Sequence, residues 1–296
     1  MARARPSFRR VAIVGLGLIG SSLARVLRRD GLAAEIVACD ASADVRARVL
    51  ELGIADRALA DPAAAVRGAD LVMLCTPVLS YGAIAAAMAR GLARGAIVSD
   101  VGSVKGAVVE ALAPHVPRGV HLVPGHPLAG TENSGPDAGF AELFKGRWCI
   151  LTPPEGTSAR AVGRVAALWR SAGMEIATMS PAHHDRVLAI TSHVPHLIAY
   201  TIVSTVSDLE ETMRAEVIKF AASGFRDFTR VAGSDPTMWR DIFLSNREAV
   251  LEMTGRLYED IALLQKAIRH GDGDTLHRVF SRSRRVRRGI VQAKQA

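Results

Sequence analysis

Long apolar runs are absent from this 296-residue sequence, since no segment offers the roughly 18 consecutive apolar residues that a membrane-spanning helix needs. Charged residues make up 22% of the chain and its mean hydropathy is positive, a composition that excludes a disordered protein. We therefore expect a folded chain with no membrane partner.

Cysteine is scarce as well. Cys39, Cys75 and Cys149 are odd in number, far apart and embedded in apolar segments. Small secreted proteins that depend on disulfides have a denser pattern, so the sequence excludes that class and predicts buried free thiols. A reducing compartment, the cytoplasm, is the expected location.

Positive charge is concentrated at the two ends of the chain. A formal net charge of +8 would suit an anionic partner such as nucleic acid, but much of it lies in "RARPSFRR" and "HRVFSRSRRVRR". Beneath the arginines of the second segment runs a helical apolar stripe, formed by Leu276, Val279, Val286 and Ile290. We interpret both segments as solvated faces and expect no nucleic-acid partner.

A glycine-rich turn follows the first apolar strand, in "RVAIVGLGLIGSSLARVLRRDG". Gly15, Gly17 and Gly20 have the spacing GxGxxG, and Leu18 and Ile19 open the helix that follows. The first glycine permits a tight turn, the second lets backbone approach a pyrophosphate, and the third lets the helix pack on the strand. Strand, glycines and helix together predict a dinucleotide site.

The acidic residue that such a site needs ends the second strand, "EIVACD". Asp40 lies about twenty residues after the glycines, where a carboxylate can accept both ribose hydroxyls of NAD. A site for NADP usually offers a nearby arginine, whereas here the first basic residue is Arg46. The sequence therefore favours NAD as the cofactor.

Strands and helices keep alternating through the first half, with strands at "ADLVMLCTPV", "GAIVSD", "VHLVPG" and "WCILTPP". Alternation of this kind predicts a parallel sheet that binds ligands at the carboxyl ends of its strands. Three of these ends are followed by polar residues, namely Thr76 (with Pro77 beside it), Ser103 and His126. We expect them to converge where the nicotinamide would lie.

Helical patterns replace the alternation near residue 180, and no strand pattern follows. We predict an α/β Rossmann-type dinucleotide-binding domain over residues 1–178, followed by an all-α domain over 179–296 that forms a homodimer. On its first helix, Asp185, Ser192 and His196 are separated by seven and four residues and so share one face. The neighbouring histidines fit no common metal-ligand spacing, so no metal is expected.

Paired arginines occur in "GFRDFTRVAGSDPTMWRDIF". Arg226 and Arg230 lie about one helical turn apart, and Trp239 follows after a break. Two guanidinium groups suit a substrate with more than one carboxylate. From the residues alone, these arginines are equally well explained as salt-bridged surface side chains.

Five motifs occur in one order across nearly the whole chain: "VGLGLIGSSLA", "DVGSVK", "GHPLAGTE", "TSHVPH" and "FRDFTRVAGSDPTMWRDI". In this the sequence resembles the prephenate and arogenate dehydrogenase family of tyrosine biosynthesis, and most closely the cyclohexadienyl dehydrogenases. The resemblance implies oxidative decarboxylation of a cyclohexadienol, with hydride transfer to NAD and loss of carbon dioxide as the ring becomes aromatic.

Residue roles follow from the matching motifs. The resemblance implies that His126 is the base that takes the hydroxyl proton, and that Ser103 hydrogen-bonds the histidine and the substrate hydroxyl. Read without the family, Ser103 is just as well explained as a helix cap. Arg230 would anchor a substrate carboxylate, while Ser192 and His196 would orient the substrate, supported by Asp185.

Four further residues have less specific roles. Arg226 and Trp239 are candidates for the pocket wall, and the loop after His126 would turn Thr131 and Glu132 toward the substrate. Because prephenate carries a keto acid and arogenate an amino acid, a carboxylate such as Glu132 would favour the ammonium group of arogenate. The sequence leaves the choice between them open.

Two alternatives remain beside this interpretation. A short-chain 3-hydroxyacid dehydrogenase also joins a nucleotide domain to a helical one, but would rely on a lysine on the first interdomain helix, and "HHDRVLAITSHVPH" has none. A regulator that senses NAD without turnover would use the arginine-rich C-terminus on nucleic acid. Such a sensor has no need of a histidine, a serine and paired arginines directed at one cleft.

Overall fold

The computed structural model describes residues 7–131 and 133–292. It divides into two compact units, Met1–Arg247 and Glu248–Ala296. The first unit contains the predicted Rossmann-type domain together with the first helices of the predicted all-α domain. The predicted boundary between residues 178 and 179 stays a prediction.

The first unit is built around a six-stranded sheet in which all pairings are parallel. Its strands are β1 (Phe8–Val14), β2 (Ala33–Cys39), β3 (Arg57–Leu59), β4 (Leu71–Leu74), β5 (Ile97–Asp100) and β6 (His121–Leu122). They lie in the order β3-β2-β1-β4-β5-β6. Successive strands are added toward one edge from β1 to β3 and toward the other edge from β4 to β6, so the switch point lies between β1 and β4. Ligands of such sheets bind at this switch point, outside the carboxyl ends of the strands.

Apolar side chains cover both faces of the sheet. On β1, Val11 and Ile13 join one buried cluster, while Ala12 and Val14 join the other. Because side chains alternate along a strand, a continuous apolar run is what a strand buried on both faces requires. The helices of this part are α1 (Leu18–Arg29), α2 (Ala43–Glu51), α3 (Pro62–Val66), α4 (Tyr81–Met88), α5 (Lys105–Leu112) and α6 (Ala159–Ser171).

A second sheet of three strands follows, made of β7 (Gly125–Pro127), β8 (Trp148–Leu151) and β9 (Glu175–Thr178). Strand β7 pairs with β8 in the antiparallel direction, whereas β8 and β9 are parallel. The segment "VHLVPGHP" is therefore two strands in two sheets. His126, expected in a turn beyond a strand, lies within β7, where pairing with Ile150 fixes its backbone.

Helices occupy the rest of the first unit, and no described residue after Thr178 is in a strand. They are α7 (Pro181–Leu188), α8 (Val194–Ser207), α9 (Glu211–Phe220), α10 (Ser223–Thr229) and α11 (Pro236–Ser245). The predicted fold class, a Rossmann-type sheet followed by helices, is confirmed. A π-helical turn, Ala189–His193, joins α7 to α8 just before Pro195, which cannot donate a backbone hydrogen bond.

One described segment, Pro181–Ser207, is long and apolar enough to cross a membrane by length and composition alone. Core helices of soluble proteins pass the same test. Within this segment Asp185 accepts hydrogen bonds from the backbone amides of Lys105 and Gly106, so α7 packs against α5 inside the first unit. The α7 part of the segment is therefore packed within the first unit.

The second unit consists of α12 (Arg247–His270) and α13 (Gly273–Gln292). Two residues of α12 are buried, Val250 and Ala267, and no described residue of α13 is. The apolar stripe predicted on α13 is present in the sequence, but Val286 and Ile290 are exposed. Large apolar side chains on α12, among them Tyr258 and Ile268, are exposed as well.

Candidate active site

The glycine-rich turn leads from β1 into α1 with the geometry of a phosphate site. Gly15 has a φ of +94°, and a Cβ there would lie 2.7 Å from Cγ2 of Thr76, while a Cβ on Gly20 would clash with the carbonyl oxygen of Gly15. At Gly17, by contrast, no heavy atom lies within 4 Å of the Cβ position. Open space before the uncapped N-terminus of α1 fits a pyrophosphate.

Asp40 is held at the end of β2. Its Oδ2 accepts the backbone N–H of Leu16 at 3.0 Å, and its Oδ1 accepts that of Ser42 at 3.0 Å. Each carboxylate oxygen keeps a further lone pair, so the group can still accept ribose hydroxyls. Nη1 of Arg46 donates to the carbonyl oxygens of Asp40 and Ala41, both at 2.8 Å.

Other predicted cofactor residues lie around the same turn. Thr76 approaches Gly15 through its methyl group and accepts a hydrogen bond from Ser80 Oγ at 2.8 Å. Pro77 is exposed next to it, and Leu18 and Ile19 are half-buried in the first turn of α1. The residues present therefore fit NAD, and their individual contacts with the cofactor remain predictions.

His126 is buried in β7, and its ring Nδ1 lies 2.9 Å from Nε2 of His184 on α7. Burial, together with the neighbouring His184 and Lys105, lowers the pKa of His126 well below its usual range. The imidazole is therefore neutral at pH 7. A neutral imidazole is the form that can take a proton.

Behind His126, His184 lies 2.7 Å, through Nδ1, from Oδ1 of Asp185. Asp185 also accepts the backbone N–H groups of Lys105 and Gly106, both at 2.8 Å. We call His126, His184 and Asp185 the histidine relay. The carboxylate of Asp185 thus caps α5 and holds His184, and its expected role toward the substrate stays a prediction.

A buried ion pair lies beside the histidine relay. Nζ of Lys105 donates to Oδ2 of Asp100 at 2.5 Å and to the carbonyl oxygen of Gly125 at 2.7 Å, and both charged side chains are fully buried. Asp100 in turn accepts the N–H of Gly125 at 3.1 Å. The pair thus fixes the backbone of the residue before His126.

Ser103 lies half-buried in the turn between β5 and α5. The N-cap of α5 is Val104, which makes no side-chain cap, and Asp185 caps the helix instead. The interpretation of Ser103 as a helix cap is therefore wrong. Among the described residues no hydrogen bond joins Ser103 to His126, so its role toward the histidine and the substrate hydroxyl stays a prediction.

The π-helical turn changes which residues share a face with Asp185. Nδ2 of Asn246 bridges the carbonyl oxygen of Asp185 at 2.9 Å and Nδ1 of His193 at 3.0 Å. His193 is thus joined to Asp185 through Asn246, whereas the sequence predicted that Ser192 shares a face with Asp185. The wider turn shifts the helical phase between the two ends of the segment, which a spacing of seven residues cannot reveal.

His196 stacks on Trp239 with ring centroids 3.7 Å apart, and its Nδ1 donates to the carbonyl oxygen of Ser192 at 2.8 Å. Trp239 also clusters with buried Val104, the residue that follows Ser103. The turn before α5 and helix α11 therefore meet at this tryptophan. Burial lowers the pKa of His196, and the positive charge of Arg230 lowers it further.

Arg230 and Arg226 are exposed, and neither guanidinium pairs with a described residue. The alternative that they form surface salt bridges is therefore unsupported among residues 7–131 and 133–292. Thr131 is exposed, and its Oγ1 accepts the N–H of Asn133 at 3.3 Å. Glu132, the candidate for choosing between the two substrates, lies outside the described residues.

No three histidine, cysteine, aspartate or glutamate side chains converge as metal ligands in the described part of the chain. The four histidines of residues 183–196 differ in environment. His184 and His193 are buried in hydrogen bonds, His196 stacks on Trp239, and His183 is exposed.

Sequence reasoning did not single out Asp100, Lys105, His184 or Asn246 as functional residues. For the first two a signal was present, because "DVGSVK" contains an acid and a lysine five residues apart around the turn that carries Ser103. His184 was considered only as a metal ligand. Asn246 gave no signal, since its partners lie 53 and 61 residues away.

Comparison with known families covers most of the chain. Residues 23–178 match the nucleotide-binding domain of prephenate dehydrogenase, and residues 180–282 match the dimerization domain of prephenate dehydrogenase. The chain belongs to the prephenate dehydrogenase family.

Individual relatives agree with this assignment. Cyclohexadienyl dehydrogenase of Zymomonas mobilis is 45% identical over 280 residues, which are 95% of this chain and 95% of that protein. Prephenate dehydrogenase of A. aeolicus, solved with hydroxyphenyl propionate and NAD+, has a TM-score of 0.88 at 34% identity, covering 95% of this chain and 98% of that one. Synechocystis arogenate dehydrogenase has a TM-score of 0.81 at 28% identity, covering 95% and 99%.

The chain is therefore an NAD-dependent dehydrogenase, as the glycine fingerprint and Asp40 predict. The predicted resemblance is confirmed, and with it the choice of NAD as cofactor. What the relatives' names leave to be argued is the substrate of this chain.

Proposed function

We propose that this dehydrogenase converts prephenate to 4-hydroxyphenylpyruvate, or arogenate to L-tyrosine, or catalyses both reactions. The observation that carries the proposal is His126, a buried neutral imidazole in β7 of a chain with an open dinucleotide turn. The names of the relatives support it, because they include a cyclohexadienyl, a prephenate and an arogenate dehydrogenase.

Bound NAD would supply the hydride acceptor for the ring carbon that bears the hydroxyl. His126 would take the hydroxyl proton as that carbon is oxidised, and would return it to the phenolate oxygen once the ring carboxylate has left as carbon dioxide. The reaction would therefore release no net proton. Because the product ring is aromatic, the protein mainly has to position the substrate and hold the base.

Arg230 would bind a substrate carboxylate, since its guanidinium has no partner among the described residues and its charge reaches His196. His196 is held by Trp239 and by the carbonyl oxygen of Ser192, so these three residues would form one wall of the substrate site. Ser103 would hydrogen-bond the substrate hydroxyl from the turn before α5. Thr131 and Arg226 are exposed and would contact the side chain of the substrate.

The chain would act as a cytoplasmic homodimer. Its match to a dimerization domain over residues 180–282 supports the pairing, as do the exposed apolar side chains of α12 and α13. Sedimentation equilibrium would measure the mass in solution, and a monomer of 31.5 kDa at micromolar concentration would refute the dimer.

The decisive experiment follows NADH absorbance with prephenate and arogenate side by side, and repeats both reactions with NADP. We expect turnover of at least one substrate with NAD and a much higher Michaelis constant for NADP. No turnover of either substrate would refute the proposed function. Neither alternative weighed from the sequence gains support, because the first interdomain helix carries no lysine, and the His126–His184 contact supports a base in the site instead.

A further inference from the structure

The histidine relay contains enough hydrogen-bond donors of known type to assign its protons. The carboxylate of Asp185 accepts the N–H groups of Lys105 and Gly106, and backbone amides can only donate. Since the carboxylate acts as the acceptor, Nδ1 of His184 must carry a proton and donate it to Oδ1 across 2.7 Å.

The second ring nitrogen of His184 then follows. Burial lowers the pKa of His184, so the ring is neutral at pH 7 and its Nε2 carries a lone pair. Nδ1 of His126, 2.9 Å away, must therefore donate to it. Because His126 is also neutral, its Nε2 is left as the ring nitrogen with a lone pair.

We propose that His184 is a positioning residue that fixes the proton of His126 on Nδ1 and thereby makes Nε2 the basic nitrogen. The catalytic consequence rests on the proposed function, whereas the position of the proton does not. His184 itself need not touch the substrate.

A fixed tautomer matters because a neutral histidine otherwise exchanges between two forms of similar energy. In the form protonated on Nε2, the nitrogen that should take the proton already has one. When His126 does take a proton on Nε2, its Nδ1 can continue to donate to His184. The same hydrogen bond thus holds the ring in both protonation states.

Asp185 is itself held on both sides. A Cβ on Gly106 would lie 2.9 Å from its Oδ2, so the carboxylate approaches α5 at a place where only glycine leaves room. Asn246 donates to the carbonyl oxygen of Asp185 at 2.9 Å. The end of the relay is therefore fixed to α5 and to the end of α11.

Charged and titratable groups on the neighbouring elements are already engaged. Lys105 is bound to Asp100 and to the carbonyl oxygen of Gly125, and His193 accepts from Asn246. Burial keeps Cys149 on β8 protonated, because it raises the pKa of that thiol. Among the described residues, His184 is the one side chain that hydrogen-bonds the His126 ring.

The test compares His184→Phe, which removes the acceptor but keeps a flat ring, with His184→Gln, whose amide oxygen can replace Nε2. His183→Phe is the matched control, because it lies on the same helix, is exposed and belongs to no part of the relay. Nitrogen NMR of 15N-histidine-labelled protein, without substrate, reports which ring nitrogen of His126 is protonated. A His126→Asn sample assigns the signal.

We expect Nδ1–H in the unchanged protein, in His183→Phe and in His184→Gln, and a mixture of tautomers in His184→Phe. In the dehydrogenase assay, His184→Phe should lower kcat by about 10- to 100-fold with little change in KM, as loss of a residue that orients a functional histidine typically does. His184→Gln should recover most of kcat.

Two results would overturn the proposal. One is Nε2–H on His126 in the unchanged protein, a measurement that needs no variant to fold. The other is Nδ1–H in a folded His184→Phe protein whose kcat is unchanged. If neither prephenate nor arogenate is turned over, the proposed function fails while the NMR result still decides the tautomer.

Discussion

The histidine relay and the arginine segment, residues 226–230, are organised in opposite ways. In the relay, both nitrogens of His184 and both carboxylate oxygens of Asp185 are engaged by other groups of the protein. In the arginine segment, Arg226 and Arg230 are exposed, and α10 contains no buried residue. The groups of the relay are thus preorganised, and the two arginines are not.

This difference predicts how substitutions divide between kinetic constants. A group held rigidly by the fold acts mainly in the transition state, so its loss lowers kcat or the stability of the fold. A group free of protein partners contributes to binding, so its loss raises KM and leaves stability nearly unchanged. Each variant below tests one side of that division.

The largest effect is expected for His126→Asn. The amide group can still donate to His184 in place of Nδ1, but no base remains where Nε2 was. We expect kcat to fall by about 1,000-fold or more, with KM changing by less than about threefold. Steady-state kinetics by NADH absorbance measure both constants. His121→Asn, outside the relay, is the control, and full activity in His126→Asn would remove the histidine from the mechanism.

The next largest effect concerns the buried pair that holds β7. Lys105→Met leaves Asp100 buried without its counter-ion, and breaking a buried pair from one side costs about 3–5 kcal/mol. Urea unfolding followed by circular dichroism measures the free energy of unfolding. Lys145→Met, which replaces an exposed lysine, should cost less than about 0.5 kcal/mol.

The double variant Asp100→Asn/Lys105→Met sharpens this test. Removing both charges should recover part of the lost stability, because the penalty comes from the unpaired charge. If Lys105→Met is as stable as the unchanged protein, the pair does not hold the backbone before His126.

In the arginine segment, Arg230→Ala should weaken the binding of substrate. Losing a charge-assisted contact to a carboxylate corresponds to about 3 kcal/mol, so KM should rise by about 100-fold. Because the side chain has no partner among the described residues, the free energy of unfolding should change by less than about 0.5 kcal/mol. Arg214→Ala on α9 is the exposed control. A fall in kcat with unchanged KM would mean that Arg230 acts on the chemical step, as the relay does, and not on substrate binding.

Much of the fold could be predicted from the sequence, because its signals are local. The GxGxxG turn, Asp40 and the alternation of strands and helices each depend on residues close together in the chain. The separate small sheet could not be predicted. Its β7 has three residues, and pairing with β8, more than twenty residues later, makes it a strand.

The candidate site divides in the same way. His126 and Arg230 are predicted from specific motifs, whereas the contact of His184 is with a ring 58 residues away in the chain. Asp185 was placed on the substrate face by counting helical positions. The π-helical turn at Ala189–His193 breaks that count, and the amides of α5 supply a partner that no spacing on α7 can show.

The smallest predicted effect is a loss of stability at acidic pH, caused by the buried histidines. Burial, partly opposed by Asp185 and reinforced by His184 and His196, lowers the pKa of His193 from 6.5 to about 4. Between pH 6.5 and 4 the unfolded chain therefore binds more protons than the folded one, so stability is lost as the pH falls through this window. From pH 7 to pH 5, His193 alone should account for a loss of about 2 kcal/mol.

Because the shifts of His126, His184 and His196 have the same direction, they add to this loss. His193→Asn keeps an acceptor for Asn246 but does not titrate, so the difference in free energy of unfolding between pH 7 and pH 5 should shrink by about 2 kcal/mol. His183→Asn, at an exposed site on α7, should leave the difference unchanged. An unchanged difference in His193→Asn would mean that His193 is already protonated, and open to water, in the folded protein at pH 5.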